Sequence, residues 1–121
     1  GVTMQKMLIM LYVDDVDLVV KFWQDYFDAK IETVTSLPDD FKSVVLTVSP
    51  SIELGFFPKA FIAKYSPEVL GSTPSLLLFS DQFKALHAKL PTVGEIVDNN
   101  GTLTFNFADP EGNYFAVAQA E

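Results

Sequence analysis

Met7-Leu8-Ile9-Met10-Leu11-Tyr12-Val13-Asp14-Asp15 is an apolar run closed by two acids and followed by a helical pattern, and Pro74-Ser75-Leu76-Leu77-Leu78-Phe79-Ser80-Asp81 repeats the plan. An apolar stretch of this length, ended by acids able to cap a helix, predicts a strand that feeds a helix. Its recurrence predicts a duplicated unit, each copy continuing through short β-rich segments to give strand-helix-strand-strand-strand twice. Half a molecule of that kind leaves one sheet face unburied, and the second copy is expected to supply its cover.

Working outward from the first run, Val16, Val19, Val20, Trp23 and Phe27 fall at helical spacing and predict a helix over about Val16 to Phe27, with Asp17, Lys21, Gln24, Asp25 and Asp28 mostly off its apolar stripe. Trp23 belongs on that stripe as a core residue. Three strands are expected over 30–37, 42–48 and 51–57, punctuated by Pro38-Asp39-Asp40 and Ser49-Pro50. The segment 58–74 holds Pro58, Pro67, Pro74 and Gly71 together with Phe61 and Tyr65, and is predicted to be an ordered connection. The second copy is then expected as a strand over 75–79, a helix over 81–90 and strands over 95–97, 102–108 and 113–119, with Asn99-Asn100-Gly101 and Asp109-Pro110-Glu111-Gly112-Asn113 as turns. The expected organisation is α+β in a single domain, 1–121, with module one over about 7–57, a connection over 58–74 and module two over about 75–119.

Apolar residues make up 49% of the 121, with eleven Phe, four Tyr and one Trp, so a sizeable core is available without covalent staples. Cysteine is absent, which removes disulfides and thiolate metal sites and fits a reducing, cytoplasmic setting. No apolar stretch approaches the ~20 residues of a membrane helix, and Gly1-Val2-Thr3-Met4-Gln5-Lys6 lacks the apolar core of a signal peptide. Sixteen acids against eight bases give a formal charge of −8, which repels nucleic-acid phosphates and anionic membranes and attracts cations to a concave site.

Leu11-Tyr12-Val13-Asp14-Asp15, followed by Phe22-Trp23 and Tyr26-Phe27 and joined to the late turn Phe107-Ala108-Asp109-Pro110-Glu111-Gly112-Asn113, resembles the vicinal oxygen chelate superfamily from about Met7 to Ala118. That superfamily takes in glyoxalase I, extradiol dioxygenases, fosfomycin-resistance enzymes and bleomycin-resistance binding proteins. The resemblance implies two βαβββ modules whose strands curl into a cupped mixed sheet around a cavity, often completed by a dimer partner. In the superfamily's enzymes a divalent metal sits on His, Gln or Glu side chains from the first and fourth strands of each module. The corresponding slots here fall on Leu8, on Pro74 with Ser75 as the neighbouring alternative, on Ala116 and on Glu53. One carboxylate falls short of the roughly three protein ligands a catalytic divalent site needs, so neither metal nor cofactor is expected. The sole histidine, His87, is read as an ordinary, partly exposed residue of a helix outside the sheet.

Strand alternation places Met7, Ile9, Leu11, Val13, Ile52, Leu54 and Phe56 beneath the helix. Leu8, Met10, Tyr12, Ser51, Glu53, Gly55 and Phe57 then line the cavity, joined from the second module by Leu76, Leu78, Tyr114, Ala116 and Ala118. A carboxylate on such a face must be paired, hydrogen-bonded or protonated. Glu53 either meets an internal donor or holds the cationic or donor group of a ligand whose apolar body rests on Phe57, Met10 and the leucines. The expected function, as the resemblance implies, is that of a bleomycin-resistance-like homodimer sequestering a small cationic or aromatic molecule without metal. The alternative is a lyase, isomerase or dioxygenase in which Glu53 serves as general base or surviving metal ligand beside Tyr12 or Tyr114. A third reading is a structural or regulatory dimer joined through the aromatic stretch 57–65.

Overall fold

The computed structural model describes residues 5–120, so Gly1 to Met4 of the opening stretch read above for a signal peptide lie outside the described residues. In chain order the elements are β1 (Met7–Val13), α1 (Val16–Phe27), β2 (Lys30–Ser36), β3 (Lys42–Ser49), β4 (Ile52–Pro58), α2 (Lys59–Tyr65), β5 (Leu77–Ser80), α3 (Phe83–Lys89), β6 (Val97–Asn99), β7 (Thr102–Ala108) and β8 (Tyr114–Gln119). The chain divides into two compact units between Thr73 and Pro74. Each builds one four-stranded sheet on the same plan, β1-β4-β3-β2 in the first and β5-β8-β7-β6 in the second. In both, the first strand runs parallel to the last and the remaining pairings are antiparallel. The parallel pairing needs a long crossover, which the helix and two intervening strands of each unit provide.

In the first unit, the Asp15 carboxylate accepts a hydrogen bond from the Leu18 N–H at 3.1 Å, satisfying one of the free donors at the start of α1. Asp28 ends the helix in the left-handed region, φ 53°. Val19, Val20, Phe22 and Trp23 are buried, and Leu11, Val13, Leu46, Leu54 and Phe56 form the sheet side of the core. Trp23 stacks obliquely on Phe27 at 4.8 Å and meets Phe22 edge-on at 6.0 Å. β2 is the outer strand of its sheet, is exposed along its length, and steps out of register between Ile31 and Thr33, leaving Glu32 as the extra residue of a bulge.

The connection contains a helix that the sequence reading did not anticipate, α2, followed by a 3₁₀ turn at Pro67–Val69. Lys59, Ala60, Ala63 and Lys64 favour helix, Pro58 sits just ahead of the first turn, and Pro67 bars continuation. The three sides of this helix meet different surroundings. Ile62 is buried. Phe61 and Tyr65 stack at 4.9 Å, and Phe61 also meets Phe41 at 5.9 Å. Ala60 and Ala63 are exposed.

The second unit buries Phe83, Leu86 and Leu90 of α3 and its flank against Phe105, Phe107, Phe115 and Val117. His87 lies in α3 as expected, with its Nε2–H donating to the Gly94 carbonyl at 2.9 Å and its ring edge-on to Phe105. β5 is shorter and later than predicted, its four residues pairing with Ala116 to Gln119, and β6 falls two residues later, where it pairs with Thr102 to Thr104. Its register corrects the face assignment made from alternation. Leu78 pairs with the buried Val117 and so belongs to the helix side, while Leu77 and Phe79 share the opposite side with Ala116 and Ala118. Leu76 precedes the strand, where its carbonyl accepts from the Ala116 N–H at 3.0 Å. Asp109, almost fully buried, closes the β7–β8 turn: one carboxylate oxygen accepts from the Glu111 and Asn113 N–H groups at 2.9 and 2.8 Å, the other from the Asn113 side-chain amide at 3.1 Å. Gly112 supplies the left-handed residue, φ 79°, that the turn requires. Among the described residues, no helix is long and apolar enough to cross a membrane.

Candidate functional site

The side of the first sheet turned away from α1 gathers five of the predicted site residues. Parallel pairing sets Leu8 against Glu53, Met10 against Gly55 and Tyr12 against Phe57, and β3 adds Thr47 beside Glu53 and Val45 beside Gly55. Residues in register share a face, so these side chains form one contiguous surface. Leu8 and Met10, on the outer strand β1, remain about two-fifths exposed. Tyr12 and Phe57 meet edge to face at 6.5 Å and flank the other end. Gly55 forms the floor between them: a Cβ there would come within 3.1 Å of Leu8 Cδ1 and 3.3 Å of Phe57 Cε1. The missing side chain therefore lets Leu8 and Phe57 close over a buried Gly55, and any larger residue there would push them apart.

Glu53 supplies the charge on this surface. Its side chain is 12% exposed, and its partner is the Lys6 ammonium at 3.1 Å, on a side chain that is 63% exposed. The carboxylate is thus held in a partly desolvated position while its counter-ion stands largely in water. Next to it, the Thr47 hydroxyl donates to the bulged Glu32 at 3.1 Å, placing a second acid on the same side of β3. Lys6, Thr47 and Glu32 were not identified from sequence. Lys6 had one usable signal, since parallel pairing of the first and fourth strands brings the residue before Met7 beside the start of β4. The bulge that brings Glu32 within reach of Thr47 has no comparable signature.

The remaining candidates lie in the second unit, where Tyr114 and Ala116 occupy the side of the sheet away from α3 together with the exposed Leu77 and Phe79. Leu76 and Leu78 are not on it. For a divalent ion the donor set does not fit: Leu8, in register with Glu53, and Ala116 carry no donor atom, and among the described residues no cluster of three or more His, Asp or Glu side chains occurs.

A second polar cluster fixes α2. Asp39, with φ 61°, accepts hydrogen bonds from the Lys64 ammonium and, at 2.9 Å, from the Tyr65 hydroxyl. The hydrogen bonds from Lys64 and then Tyr65 hold the Asp39 carboxyl below its usual range, and accepting by Asp39 raises the Tyr65 phenol above its own. The lowered acid contributes above the ordinary carboxyl pKa and loses its contribution as pH falls through the lowered value. The raised phenol contributes below the ordinary phenol pKa and loses its contribution as pH rises through the raised value. The Cζ resonance of Tyr65 is therefore expected to titrate above a free tyrosine, and Asp39→Asn to bring it down; an unchanged midpoint in that variant refutes the contact.

A protein-family model described as Glyoxalase/Bleomycin resistance protein/Dioxygenase superfamily matches residues 7–117. Among solved structures, an antibiotic binding protein, TnmS3 from Streptomyces sp. CB03234, superposes with a TM-score of 0.77 at 16% identity, over 100% of this chain and 98% of that one. Hypothetical protein SA1046 from S. aureus gives 0.76 at 18% identity, over 98% and 95% of the two chains. A lactoylglutathione lyase from Agrobacterium tumefaciens gives 0.70 at 20%, over 94% and 92%. At these identities the likeness is one of fold. No curated protein matches the chain.

Proposed function

Because the chain belongs to the glyoxalase/bleomycin resistance protein/dioxygenase superfamily, whose fold serves both enzymes and binding proteins, we propose that it sequesters a small cationic or aromatic molecule on the open face of its first sheet, without metal and without chemistry. The observation that carries this reading is the Leu8–Glu53 pair: where a metal-binding relative would present donors on adjacent strands, this chain presents one carboxylate and one aliphatic side chain. A ligand cation takes the place of the Lys6 ammonium on Glu53, and Lys6 returns to water at little cost because it is already mostly exposed. The ligand's apolar body covers Leu8 and Met10 and ends against the Tyr12 and Phe57 rings, which suit a flat or cationic group. The similarity to an antibiotic binding protein supports this class of ligand. The same reading takes the protein as a cytoplasmic homodimer.

Calorimetric titration of cationic aromatic antibiotics tests the proposal. Glu53→Gln is expected to weaken a binding member of the panel by about ten- to a hundredfold, in line with loss of one charge-assisted contact, while the melting temperature stays close to wild type. Wild-type affinity in that variant removes the carboxylate from the site. Titrations with Ni²⁺, Zn²⁺, Mn²⁺ and Fe²⁺ are expected to be flat; one metal per chain with clear thermal stabilisation would favour the lyase or dioxygenase alternative instead.

A further inference from the structure

The first unit carries a cleft of about 410 Å³ lined by Tyr12, by Lys59, Ala60 and Ala63 of α2, and by Leu70 and the 71–73 segment. Its size lies within the range of small-molecule pockets. The cleft is held open by the way α2 is anchored. Ile62 is buried, while Phe61, Lys64 and Tyr65 are tied to Asp39 and Phe41, so the helix cannot roll to bring a larger side chain over the gap. The residues it turns to the cleft include two alanines, which leave the space unfilled. On the far side Gly71 adopts φ 86°, a left-handed bend that redirects the chain, and a Cβ there would meet nothing within 4 Å.

The lining is chemically one-sided. Tyr12, Ala60, Ala63 and Leu70 give an apolar interior, Ser72 and Thr73 bring hydroxyl groups, and Lys59 is the one charged residue among those bordering the cleft. It forms a long ion pair with Asp14 at 3.8 Å, beyond hydrogen-bond length and with both side chains well exposed, an exchangeable contact. We propose that this open cleft binds a small aromatic anion, its ring against Tyr12, the two alanines and Leu70, and its carboxylate or sulfonate on Lys59 with Ser72 and Thr73. The cleft shares Tyr12 with the strand-face site but does not use Glu53 and has the opposite charge preference, so loss of the Glu53 carboxylate leaves it intact.

The probe is 2-naphthoate, titrated calorimetrically into the full chain, with 2-naphthol as the uncharged analogue. One site per chain is expected, with 2-naphthol weaker by about tenfold. Lys59→Gln should remove that difference. Ala63→Phe, which fills the cleft from an exposed helix position, should abolish measurable binding. Leu70→Asp, at a position already 37% exposed and hence compatible with folding, should do the same by placing a carboxylate against the anion. Glu53→Gln should leave 2-naphthoate binding unchanged. Absence of binding to the wild type, or wild-type affinity in folded Ala63→Phe and Leu70→Asp, overturns the proposal; loss in Glu53→Gln alone would move the anion to the strand face and overturn it equally.

Discussion

Trp23→Ala is expected to destabilise the first unit by about 3–5 kcal/mol, the usual cost of emptying a fully enclosed indole site. The side chain is 1% exposed and lies between the Phe22 and Phe27 rings, over a sheet whose Leu46, Leu54 and Phe56 are equally buried, so no single neighbour can move in to fill the void. Alanine gains about 0.5 kcal/mol of helix propensity, too little to offset the cavity. Against a total stability of about 5–15 kcal/mol, the loss should lower the melting temperature by more than about 10 °C. Leu18→Ala on the same helix, where the leucine is largely exposed, provides the comparison and should stay within about 0.5 kcal/mol of wild type. Urea unfolding of the two variants checks the contrast; a Trp23→Ala loss below about 1 kcal/mol would mean that the pocket collapses around the missing ring.

Asp109→Ala is expected to cost about 2 kcal/mol in the second unit, because it removes the buried charged acceptor that two backbone donors of a part-buried turn share. Asp109→Asn should recover part of the loss. Its amide oxygen can keep the Glu111 and Asn113 N–H bonds, but its amino group then faces the Asn113 side-chain donor, which needs an acceptor. Hydrogen exchange at Phe107 and Phe115, on the two strands the turn joins, gives the readout. Protection should fall in the order wild type, Asn, Ala, and equal protection in all three would show that the turn is set by Gly112 and Pro110 alone.

The sequence made some of these parts legible and hid others for physical reasons. α1 was readable to its ends because its apolar residues recur at helical spacing and Asp15 is a capping residue in the position a cap must take. The duplicated strand order followed from the two matching starts. The face of β5 was not readable, since Leu76, Leu77, Leu78 and Phe79 are all apolar and alternation carries no signal when every position is the same; only the register with β8 decides it. α2 was passed over because seven residues between prolines fall below the length at which helical periodicity stands out, although its alanines, its lysines and the Phe61–Tyr65 spacing pointed to it. Glu53 was placed correctly on its strand face from parity. Its partner Lys6 was not found, because the ion pair leaves no mark in either local pattern and follows only from the register of the β1–β4 pairing.

The irregular step at Glu32 has a consequence for the protein in concentrated solution. β2 is an outer strand with Ile31 and Val34 exposed, the kind of border on which a foreign strand could template itself and begin an aggregate. An extra residue at the middle of that border interrupts the regular rhythm of hydrogen-bonding groups, and the charges of Lys30 and Glu32 on either side of Ile31 make a dry interface costly. The bulge thus acts as a stop against runaway strand addition, built into the one strand of that sheet that is exposed along its whole length.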